Sequence, residues 1–130
     1  MLNKFQILSL FALSIAFWIL ATLYIHFLPG SITSPVRGAI GFVTTLPIAG
    51  LSVLLTRRVG RLSADQLLLG VAIVGAIAMM IDGIVIRWFP AAYSSDPLAL
   101  SLGAAWLLWG YGVSLCIAIL MSIRNGRAPQ

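Results

Sequence analysis

The chain of 130 residues contains no glutamate, one histidine, one cysteine and three aspartates. Those scarcities exclude several kinds of chemistry. A metal centre needs several His, Cys or carboxylate ligands at suitable spacing. Here His26 and Cys116 belong to opposite halves of apolar runs, so no metal site is expected. One cysteine cannot form an internal disulfide, and Cys116 reads as a small packing residue. With His26 as the sole imidazole, and no serine in a G-x-S-x-G elbow, nucleophilic catalysis is not expected. Gly103, Gly110 and Gly112 lie inside an apolar run, not in a phosphate-binding loop. No enzyme activity and no cofactor are expected.

Charge is equally sparse. Only 8% of the residues are charged, while 61% are hydrophobic and the mean hydropathy is +1.07. A soluble domain carries about 25% charged residues, so this composition cannot cover a water-facing surface. The net charge of +5 falls in small clusters between apolar runs and forms no basic face. That is the positive-inside pattern and not a nucleic-acid interface. Four stretches approach the roughly 20 residues that cross a hydrocarbon core: 5–28, 35–56, 64–88 and 97–123. The first is longer than a signal-peptide core and has no clear small-x-small cleavage site, so it reads as a retained anchor. Three helix starts are marked chemically. Ser34-Pro35 and Asp96-Pro97 each supply a polar cap followed by proline, and Ser63 with Gln66 forms a capping box.

Basic residues set the orientation. Lys4, Arg57, Arg58, Arg61, Arg124 and Arg127 fall on one side, and Arg37 and Arg87 on the other. Six against two predicts cytoplasmic termini and a cytoplasmic 57–63 loop. Tyr24, Phe27, Trp88, Phe89 and Tyr93 gather at the opposite turns as an aromatic interfacial belt. Those turns echo one another. Ile25-His26-Phe27-Leu28-Pro29 is followed by a serine cap and Pro35; Ile86-Arg87-Trp88-Phe89-Pro90 is followed by Ser94, Ser95, Asp96 and Pro97. A duplicated hairpin would produce this, as would the ordinary chemistry of short turns between spans.

Asp82 is the one acid inside an apolar helix, where a carboxyl costs roughly 2.5–3.5 kcal/mol on insertion scales. It lies about 9 Å below the helix end at Trp88, counting 1.5 Å per residue. Thr44, Thr45 and Trp106 fall at similar depth, with Tyr24 and His26 somewhat nearer the outer surface. Arg87 is the nearest cation in sequence but points about 140° away around the helix. Two readings follow for a candidate intramembrane polar site of Asp82, His26, Thr44, Thr45, Arg87 and Tyr111. Asp82 either ties spans together through these groups or Arg37, or relays a proton or holds a cation.

The remaining signals concern packing. Gly41, Thr45 and Ala49 form one small-residue stripe, and Gly110, Ser114, Ala118 and Ser122 another, of the kind that lets helices approach closely in lipid. Pro47 frees a backbone carbonyl near Val43, which Thr44 or Thr45 can help satisfy in a bent helix. Arg57, Arg58 and Arg61 fix topology and can meet anionic headgroups at roughly 1 kcal/mol each.

Asp82-Gly83, then Arg87-Trp88-Phe89-Pro90 and Tyr93, resembles a family of small bacterial four-span membrane proteins with no assigned function. The resemblance implies a four-helix membrane protein and carries over no catalytic residues. Small multidrug-resistance transporters fit poorly, since their first-helix glutamate has no counterpart here. Dual-topology fluoride channels fit no better, because the only asparagines are Asn3 and Asn125. The expected fold is all-α, an up-down-up-down bundle of four antiparallel transmembrane helices forming one domain. The expected role is a non-enzymatic structural or accessory protein of a bacterial plasma membrane. The alternative is a small transporter or ion-handling protein centred on Asp82. Expected partners are the lipid bilayer and a second copy or another membrane protein, with no nucleic acid.

Overall fold

A computed structural model describes residues 2–126 of the chain. Its elements are α1 (Lys4–Phe27), α2 (Pro29–Thr33), α3 (Pro35–Val59), α4 (Leu67–Trp88) and α5 (Pro97–Gly126). Short 3-10 turns cover Ala64–Gln66 and Pro90–Ala92, and no strand occurs among the described residues. The spans Lys4–Phe27, Pro35–Val59, Ala64–Trp88 and Pro97–Arg124 are long and apolar enough to cross a membrane. Arg127 lies outside the described residues.

Local chemistry explains the boundaries. Ser34 Oγ accepts from the Arg37 amide at 3.4 Å, and Asp96 Oδ1 accepts from the Leu98 amide at 3.1 Å. Gln66 Oε1 accepts from the Ser63 amide at 3.0 Å, which closes the capping box. A second box opens α1: Asn3 Oδ1 takes the Gln6 amide at 2.8 Å, and Gln6 Oε1 takes the Asn3 amide at 3.0 Å. Between α3 and α4 the chain reverses with Arg61 in the left-handed region at φ 50. Gly60 precedes it because a Cβ there would meet the Thr56 carbonyl at 3.1 Å and Leu10 Cδ2 at 3.3 Å.

The helices run up and down. Near one end, Leu10, Val53, Leu67, Val71, Val74 and Ala118 pack into one core cluster, which draws on all four long helices. Near the other end, Ile25, Ile32, Tyr93 and Leu107 form a second cluster. The chief packing partners are α1 with α4 and α3 with α5, while α1 and α3 touch little despite being neighbours in sequence. Several polar groups lie inside and many large apolar groups outside. Gln6, Ser14, Thr22, Thr45, Thr56 and Asp82 are buried, whereas Leu8, Leu20, Val43, Leu51 and Leu108 are each at least 64% exposed. Such a surface suits lipid, where helix association comes from packing and hydrogen bonds between helices.

The turns that follow α1 and α4 repeat in geometry as well as in sequence. Leu28 at φ −128, ψ 50 and Phe89 at φ −134, ψ 51 end their helices in the same conformation. Each is followed by a proline that starts a new helical turn. The third residue after each proline, Ile32 or Tyr93, is turned back into the core. The helices that the echo would relate, α1 with α4 and α3 with α5, are each other's main packing partners.

Several packing expectations meet a different geometry. An added Cβ at Gly110 would make only ordinary contact with Thr45 Cγ2, at 3.7 Å, and one at Gly41 would meet nothing within 4 Å. Tight glycines lie elsewhere: an added Cβ at Gly70 would run into Leu62 Cδ1, and one at Gly103 would lie 3.2 Å from Ile25 Cδ1. Ala49 and Ala118 are buried, and Ser114 is half-buried. Cys116 is exposed on α5 and does not pack in the bundle. Around Pro47, the Thr44 and Thr45 hydroxyls donate to the Gly41 carbonyl, at 3.2 and 2.6 Å, and not to that of Val43.

Candidate functional site

Asp82 sits on the inward face of α4 and is only 5% exposed. Its two oxygens are each taken by a phenol. Tyr93 Oη donates to Oδ1 and Tyr111 Oη donates to Oδ2. Tyr93 comes from the turn after α4 and Tyr111 from α5, so the carboxyl joins three successive segments of the chain. The network continues into α1, because Trp18 Nε1 donates to Tyr93 Oη at 2.9 Å. Thr22, one turn further along α1, is buried beside this phenol. Burial, reinforced by the bond to Asp82, pushes the Tyr93 phenol above its ordinary range and keeps it a donor. The result is a clasp across α1, α4, α5 and the turn between α4 and α5.

The third helix is tied separately. Trp106 Nε1 on α5 donates to Thr45 Oγ1 at 3.0 Å, and Trp109 Nε1 donates to the Phe42 carbonyl at 2.9 Å. The Phe42 and Trp109 rings also stack, with centroids 5.6 Å apart. At the opposite end Gln6 Nε2 donates to the Arg61 carbonyl at 3.1 Å and to Gln66 Oε1 at 3.0 Å. Each end of the bundle therefore has its own polar fastening.

Of the residues singled out from sequence, the structure joins Tyr111 directly to Asp82. Thr45 is buried nearby but serves the separate tie to Trp106. His26, Arg87 and Thr44 are exposed and are not brought to the carboxyl. The His26 ring packs edge-on against Phe27 at 4.9 Å, and Arg87 lies over the Trp88 ring at 5.5 Å. The 140° separation along α4 is enough to keep Arg87 away from Asp82. Arg37 is also exposed. Arg61 lies over the Phe5 ring at 4.9 Å, Arg57 is half-buried and Arg58 exposed. Sequence reasoning missed Tyr93 and Trp18 as members of the site, having placed Tyr93 in the interfacial belt. The available signal was the echo, which aligns Tyr93 with an apolar Ile32.

Beside the clasp lies a groove of about 460 Å³. It opens where α1 and α3 splay apart, between the exposed rim residues Leu20 and Ile48, and reaches α5 and part of α4. Gly41, Thr45, Ala49, Gly110 and Ser114 all line it, so both small-residue stripes border this space. Tyr111 lines it too and stands between the groove and Asp82. Comparison with known proteins finds no family model, no curated sequence and no solved structure that matches this chain.

Proposed function

We propose that this chain is a non-enzymatic, bilayer-embedded structural or accessory protein in which Asp82 fastens the outer end of the bundle. One observation carries the reading: both carboxyl oxygens are occupied by phenol donors, and the carboxyl itself is buried. A transport site for a proton or cation needs access to water and a free ligand position, whereas this acid is spent on holding helices together. The accessory role is supported by the small inventory of chemically active groups and by the apolar exterior. The chain sits in a bacterial plasma membrane with both termini cytoplasmic. The supports are the basic bias towards the end where α1 begins and α5 finishes and, for the bacterial assignment, the resemblance drawn from Asp82-Gly83 and Arg87–Pro90. Its partner is another membrane protein or a second copy.

A second reading, a small transporter or ion-handling protein centred on Asp82, draws on one feature. Tyr111 lines the groove with its ring while its hydroxyl bonds the carboxyl. Infrared difference spectroscopy in lipid, with Asp82→Asn as control, separates the two. The fastening role predicts no Asp82 carboxyl band that moves between about pH 5 and 8, and equal proton flux in liposomes bearing either protein. A band that titrates in that window and a flux that the variant abolishes would replace the first reading with the second.

A further inference from the structure

The groove between α1 and α3 is walled by hydroxyl residues, yet it offers few free donors. Thr45, Ser52, Thr56 and Ser114 donate to the carbonyl one turn earlier on their own helices, at 2.6, 2.9, 2.8 and 2.8 Å. Trp106 Nε1 is spent on Thr45, and the Tyr111 hydroxyl on Asp82. A polar substrate would have to break these bonds. An alkyl chain needs only the methyl groups and ring faces that remain, through dispersion contacts with a concave wall.

Shape and charge narrow the occupant. From Gly41 to Thr56 the groove follows α3 for about 22 Å at 1.5 Å per residue. That exceeds the depth of one leaflet, which is half of a hydrocarbon core roughly 30 Å thick. The Tyr24 and Trp106 rings, 5.0 Å apart, stand at its outer end. At the other end Arg57, half-buried and one helical turn beyond the lining residue Val53, forms no ion pair among the described residues.

We propose that this groove is a binding site for one acyl chain of an anionic phospholipid whose phosphate is held by Arg57. The proposal rests on the bilayer setting but not on the role of Asp82, so either can fail without the other. The test is native mass spectrometry of the full chain released from detergent containing equal phosphatidylglycerol and phosphatidylcholine. One phosphatidylglycerol should remain bound at activation energies that strip the other lipids. Ser52→Phe, which fills the groove, should abolish that retention. Arg57→Gln should keep the chain folded and lower the preference for phosphatidylglycerol about fivefold. Three results would overturn the proposal: no single retained lipid, retention unchanged in Ser52→Phe, or a dimer that Ser52→Phe dissociates, which would assign the groove to a second copy. If Ser52→Phe does not fold, unchanged lipid preference in Arg57→Gln overturns it alone.

Discussion

Removing the phenols one at a time should separate their contributions to the clasp. Tyr111→Phe deletes one bond, that to Asp82 Oδ2, and leaves the ring in place. A hydrogen bond to a charged group is worth about 1.5–3 kcal/mol in water-soluble proteins. Interhelical bonds in bilayers average about 0.6 and reach about 1.7, because the separated helices also find partners. A loss of about 1–2 kcal/mol is therefore expected for Tyr111→Phe. Tyr93→Phe removes the bond to Oδ1 and also strands Trp18 Nε1, which then has no acceptor. Its cost should be larger, about 2–4 kcal/mol, because a buried unmade donor adds its desolvation to the lost bond. In an Asp82→Ala background, Tyr111→Phe should cost close to nothing, giving a coupling of about 1 kcal/mol or more between the two sites. Reversible unfolding in mixed micelles, followed by helix circular dichroism, provides all four corners of the cycle. Equal costs for the two tyrosines, or additive costs for Asp82→Ala and Tyr111→Phe, would refute the clasp.

Other outcomes follow from the same geometry. Gly103→Ala should destabilise by about 1–3 kcal/mol through overpacking on Ile25, while Gly110→Ala should change little, both read from unfolding midpoints. His26→Ala and Arg87→Ala should each fall within about 0.5 kcal/mol of the parent in the same assay, since neither side chain reaches the clasp. The Tyr93 phenol holds its proton more tightly folded than unfolded, so its contribution is complete below the ordinary tyrosine value of about 10 and lost as pH rises beyond it. A pH series from about 9 to 12 should therefore lower the stability of the parent more than that of Tyr93→Phe.

The span limits were legible because hydropathy and capping act locally. Ser34, Ser63 and Asp96 each cap the turn that follows within three residues. A window of a few residues therefore contains the whole interaction. The exposed positions of Leu8, Leu51 and Leu108 follow equally from composition, since a chain with so few charges has only apolar side chains to turn outward. Asp82 stood out for the same reason, as an acid whose placement is costly wherever the helix packs.

Its partners could not be read in this way. Spacing along α4 turned Arg87 about 140° from Asp82, yet Arg87 stayed among the candidates, and depth alone also offered His26, Thr44 and Thr45 as neighbours. Depth does not say which face of each helix turns inward, and that face is decided by the packing of α1 on α4 and of α3 on α5. Tyr93 lay beyond the helix end and reached the carboxyl only because the Pro90 turn folds back over the bundle. The groove is a further product of assembly. The stripes of α3 and α5 were visible in sequence, but the space beside them exists because α1 leans towards α4 and leaves α3 uncovered. Sequence thus determined which segments are long and apolar enough to cross a bilayer and where each helix begins, since those depend on local transfer and hydrogen-bond energies. Tertiary structure alone decided which polar groups meet, because the rotation of each helix about its axis is set by contacts among all of them.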